Sequence, residues 1–92
     1  MILSNNDLNL IHKFIETFYN ENKFFISLPQ GKSYWEILNF IDNIDNKYYK
    51  SIYINYNKPV WRIHLNDKYY ESFSSNEFMT TINKLLELKI LL

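Results

Sequence analysis

Ninety-two residues, 47% of them hydrophobic and 18% aromatic, suffice for one domain, residues 1–92, around a single core, and are too apolar for a disordered tail. The formal net charge of +0 offers no long-range attraction toward nucleic acid or an anionic membrane. The lack of cysteine excludes disulfides and thiolate chemistry, and no apolar run approaches the roughly 20 residues of a membrane helix.

Charge is unevenly spread. Residues 1–46 carry three cations and six acids, net −3, and residues 47–92 carry seven cations and four acids, net +3. The chain has no alanine, one glycine and one valine, but abundant Asn, Ile, Lys, Tyr and Phe. Alanine is the best helix former, so folding physics does not explain its absence. Codons rich in A and T do, which points to an AT-rich genome such as that of a low-GC bacterium or its mobile elements. The start, MILSNNDLNL, does not read as a signal peptide, and a cytoplasmic protein is expected.

Ser4-Asn5-Asn6-Asp7 resembles a capping box, and Leu8, Ile11, Phe14, Ile15 and Phe18 recur at helical spacing, so a first helix is expected over about residues 5–21. Phe24-Phe25-Ile26-Ser27-Leu28 is a short apolar run, a strand or a buried connector, stopped by Pro29. Gly31-Lys32-Ser33 is not a phosphate loop, because that motif needs a glycine where Ile26 stands. Ser33 and Glu36 instead suit a capping box opening a second helix, with Tyr34, Ile37, Leu38, Ile41 and Ile44 as its buried stripe. Ser74 and Glu77 repeat the device for a third helix carrying Phe78, Met79, Ile82, Leu85 and Leu86. The apolar end, Lys89-Ile90-Leu91-Leu92, docks on the core or, if exposed, suggests a homodimer contact.

Residues 48–73, between the second and third helices, read as a three-stranded antiparallel meander with turns at Asn57-Lys58 and Asn66-Asp67. Two-residue turns place Ile54 opposite Trp61, and Ile63 between Ile52 and Tyr70. One face is then Ile52, Ile54, Trp61, Ile63, Leu65 and Tyr70, a core face on which both turns agree. The other shows Tyr53, Arg62 and Glu71 in one row, Ser51, His64 and Tyr69 in the next, and Asn55, Val60 and Phe73 in a third, with Tyr49 at the margin. The fold expected is α+β: an N-terminal helix, a short extended segment, a helix, the meander and a C-terminal helix, with helices two and three on the core face.

From Ser33 onward, helix, three strands and helix resemble the double-stranded RNA-binding domain in topology. That family carries lysines at the start of its last helix. Here Ser75-Asn76-Glu77-Phe78 stands there, with no lysine until Lys84, so the family's function is not carried over.

Little here suggests chemistry. His12 and Glu16 are one helical turn apart, but two metal-capable groups without a third are a solvated pair first. Ser51, His64 and Glu71 match a nucleophile arrangement in residue type only. No cofactor, metal or enzymatic activity is expected. The outer face of the meander has three readings: the first helix covers it, a protein partner binds it, or RNA or single-stranded DNA stacks on Tyr49, Tyr53 and Tyr69 with Arg62 and Lys50 at phosphates. The expected function is a small non-catalytic binding protein that occupies a protein partner through Tyr49, Tyr53, Arg62, His64, Tyr69, Glu71 and Phe73. An inhibitor from a mobile element, of anti-CRISPR type, or an immunity protein would fit, with a nucleic-acid-binding module as the alternative.

Overall fold

The computed structural model describes residues 3–21, 23–44 and 46–91, without the side chains of Asn46, Tyr49, Ile90 and Leu91. Helix α1 (Asn5–Phe18) is followed by strand β1 (Phe24–Pro29), helix α2 (Lys32–Ile44), a 3-10 helix (Asn46–Ser51), strands β2 (Ile52–Asn55), β3 (Trp61–Leu65) and β4 (Lys68–Ser72), and helix α3 (Ser75–Leu91). The fold is α+β, as the patterning predicts.

The first and third helices start where their caps stand. Ser4 N–H donates to Asp7 Oδ2 and Asp7 N–H donates to Ser4 Oγ, both at 3.1 Å, closing the capping box of α1. At α3, Glu77 N–H donates to Ser74 Oγ at 3.2 Å. The box expected from Ser33 and Glu36 does not form. Helix α2 already begins at Lys32, which leaves the N-cap position to Gly31, at φ +154°, and puts Ser33 in the first turn.

The three-stranded meander is replaced by a four-stranded mixed sheet in the order β2-β1-β3-β4. Strand β1 lies between β2 and β3, parallel to the first and antiparallel to the second. The parallel pair follows from connectivity: α2 joins β1 to β2, and a crossover of this kind needs a helix-length connection. The central position follows from composition. Ile26 and Leu28 are 0% exposed and Ser27 8%, and an apolar run of this sort is most fully buried with a neighbour on each side. Asn57-Lys58 is accordingly no two-residue turn, since residues 56–60 reach over the end of β1 from β2 to β3. The second turn is as expected: Asn66, at φ 58°, and Asp67 join β3 to β4, and Arg62 pairs with Glu71, Ile63 with Tyr70 and His64 with Tyr69.

The insertion keeps the residues of β3 and β4, and Ile52 and Tyr53 of β2, on the sides predicted for them. Ile26 aligns with Ile52 on one side and Ile63 on the other, so the apolar row widens without changing side. All three helices pack on that side. Ile11, Phe14 and Ile15 of α1, Ile37 and Ile41 of α2, and Phe78 and Ile82 of α3 share one core with Ile26, Leu28, Ile52, Trp61 and Ile63. The Trp61 and Phe78 rings lie 5.0 Å apart. Helix α1 therefore does not cover the outer face, because its whole apolar stripe is used beside α2 and α3. No helix among the described residues is long and apolar enough to cross a membrane. Of the apolar C-terminus, the side chains of Ile90, Leu91 and Leu92 lie outside the description.

Candidate binding face

With the helices on one side, the other side of the sheet stays open. The period of two aims Tyr53 from β2, Phe25 and Ser27 from β1, Arg62 and His64 from β3, and Tyr69 and Glu71 from β4 toward it. The expected row of Tyr53, Arg62 and Glu71 exists, with Ser27 inserted between Tyr53 and Arg62.

Rings run across all four strands. Phe25 meets Tyr53 edge-on at 5.5 Å and His64 edge-on at 4.7 Å, and His64 stacks on Tyr69 at 4.2 Å. Tyr53 and Tyr69 stay more than half exposed, at 53% and 58%, so the chain of rings ends in two accessible phenols. Arg62 donates from Nε at 3.1 Å and from Nη2 at 2.7 Å to the same Glu71 oxygen, and its guanidinium also lies 5.4 Å from the Tyr69 ring centre. The Arg62 hydrogen bond holds the Glu71 carboxyl below its ordinary value. Burial pushes the other way, and the charges of Arg62 and Lys58 add to the lowering. His64 Nδ1 is enclosed with no hydrogen-bond partner among the described residues.

The structure thus brings together Tyr53, Arg62, His64, Tyr69 and Glu71. Phe73 is 73% exposed, one residue beyond β4, and joins no ring contact among the described residues. Tyr49 has its backbone in the 3-10 helix, and its side chain lies outside the description. Ser51 is not on the face at all: it ends the 3-10 helix, 9% exposed, and Phe25 takes the place beside His64. The grouping of Ser51, His64 and Glu71 is thereby dismantled. The third row fails as well, since Val60 belongs to the link before β3 and is 6% exposed. His12 turns toward Tyr48, ring centres 5.8 Å apart, and no three metal-capable side chains gather among the described residues.

Phe25 and Ser27 are the two members of the face that the turns could not reveal. Their signal is the alternation of Phe25 and Ser27 with Ile26 and Leu28, which gives β1 a second, half-polar side once it is read as a strand.

No protein-family model, curated protein or solved structure matches the chain.

Proposed function

We propose that this is a non-catalytic binding protein whose open sheet face occupies a protein partner, as a mobile-element inhibitor or an immunity protein would. The observation that carries the reading is the linked set of Tyr53, Phe25, His64, Tyr69, Arg62 and Glu71 on a face that no helix covers. Tyr and Arg are among the residues enriched at interface hot spots, and rings held by their neighbours lose little freedom on binding.

Single-stranded nucleic acid is the competing occupant. Base stacking needs free ring faces, whereas the Tyr69 ring already meets His64 and Arg62. The Arg62 charge is met by Glu71, and the chain as a whole has net charge +0. Both points favour a protein.

Affinity capture from lysates of low-GC bacteria tests the reading, with wild type beside Tyr53→Ala/Arg62→Ala, both first shown to be folded by circular dichroism. A stoichiometric protein complex held by wild type and lost by the variant is expected. Equal recovery by a folded variant removes the face from the reading. Oligonucleotide binding that weakens steeply with salt replaces the protein with nucleic acid.

A further inference from the structure

Because β1 and β2 are parallel, their carboxyl ends open on the same edge of the molecule, where the chain turns into α2 on one side and leaves β2 by residues 56–60 on the other. Three hollows meet there. The first, about 440 Å³, is walled by Phe25, Ser27, Tyr56, Lys58 and Arg62 among others. The second, about 230 Å³, shares Asn55, Tyr56, Asn57 and Lys58 with it and extends to Pro29 and Gln30. The third, about 220 Å³, runs on from Pro29 and Gln30 to Gly31, Lys32 and Ser33, with Trp61 as one wall. Together they form a trough from the open face, over the ends of β1 and β2, to the start of α2.

The trough is net positive, with the Glu71 carboxylate at its margin bonded to Arg62. Arg62, Lys58 and Lys32 line it, and no Asp or Glu does among the described residues. Neither Lys32 nor Lys58 forms an ion pair among the described residues. The positive end of the 13-residue α2 adds to the same field. At Gly31 nothing among the described residues, its two chain neighbours aside, lies within 4 Å of where a side chain would begin, so a ligand can approach the backbone itself.

We infer that this trough receives an extended acidic segment of the protein partner, an assignment that rests on the reading of the open face as a protein-binding surface. Charge complementarity selects the occupant. Arg62 is already paired with Glu71, so Lys32 and Lys58 are the cations that meet carboxylates interleaved with neutral residues, for which Gln30, Asn55 and Asn57 supply polar contacts. A phosphodiester strand carries a charge at every nucleotide and needs a denser row of cations than Lys32 and Lys58 on a chain of net charge +0. The open face then supplies aromatic anchors, and the trough supplies orientation and partner choice.

A displayed library of random linear peptides, selected on the wild-type protein, tests the assignment. Enriched peptides are expected to be rich in Asp and Glu, to lose about tenfold or more in affinity for Lys32→Glu/Lys58→Glu, and to bind the Lys84→Glu control on α3 as they bind wild type. Circular dichroism checks that each variant is folded. Neutral or basic peptides, or acidic ones indifferent to the Lys32→Glu/Lys58→Glu change, overturn the assignment. So does tighter binding of a short oligo-dT than of the best peptide, which makes the trough a phosphodiester site. The captured partner separates the two readings. If Lys32→Glu/Lys58→Glu retains it and Tyr53→Ala/Tyr69→Ala loses it, the face stands and the trough falls. If the first variant loses it and the second keeps it, the face is the part that falls.

Discussion

His64 lies nearly flat against Tyr69 across the β3–β4 ladder, ring centroids 4.2 Å apart and planes inclined by 27°. The stack, with Arg62 over the same tyrosine, orders a large part of the face before any partner arrives, which lowers the entropy cost of binding. Tyr69 is 58% exposed and loses chiefly its contacts with His64 and Arg62, so Tyr69→Ala is expected to cost about 0.5–1.5 kcal/mol of stability. Affinity for the captured partner should fall about tenfold or more. Urea unfolding and a titration of the purified complex measure the two effects separately.

The ion pair of Arg62 and Glu71 sets a dependence on pH. Glu71 titrates below its ordinary value in the folded protein, chiefly through the Arg62 hydrogen bond. A carboxyl depressed in this way contributes stability above its unfolded value, and that contribution is lost as pH falls through the folded one. Glu71→Gln has no such group. Wild type is therefore expected to lose more stability than Glu71→Gln on acidification across the carboxylate range, with the dependence gone once both forms are uncharged. Urea midpoints measured across that range for both proteins check the sign.

Strand order is open to a direct chemical test, because the chain contains no cysteine of its own. Ser27 and Arg62 are cross-strand partners on β1 and β3, whereas Tyr53 and Arg62 are separated by the whole of β1. Neighbouring strands lie about 4.8 Å apart, and a disulfide does not form beyond roughly 7 Å between Cα atoms. Ser27→Cys/Arg62→Cys should cross-link under mild oxidation, and Tyr53→Cys/Arg62→Cys should not. A three-stranded meander would reverse the result.

Ile26 is 0% exposed in the central strand, between Ile52 and Ile63. Ile26→Ala leaves a cavity where three strands and the helical layer meet, and is expected to cost about 2–5 kcal/mol. Chemical denaturation measures the loss. A cost well below that range would mean that the core collapses around the missing side chain.

The sequence by itself determined the α+β class, the three helices, the caps at Ser4 and Ser74, and the face to which each β2, β3 and β4 residue of the candidate site belongs. These depend on local physics: helical spacing of apolar residues, a side-chain oxygen within reach of a free amide, and the alternation of a strand. The turn at Asn66-Asp67 was legible for the same reason, since asparagine tolerates the positive φ seen at Asn66. Strand order was not local. Whether residues 24–28 pass between β2 and β3 or beside them depends on how much apolar surface each arrangement buries across the whole chain, and no short window of residues holds that information. Only the tertiary structure decided it, and with it the place of Phe25 and Ser27 at the centre of the face, the removal of Ser51 from it, and the trough over the ends of β1 and β2. It also decided that the face is open, because the apolar stripe of α1 found a better cover beside α2 and α3 than the half-polar row of Tyr53, Ser27, Arg62 and Glu71 could offer.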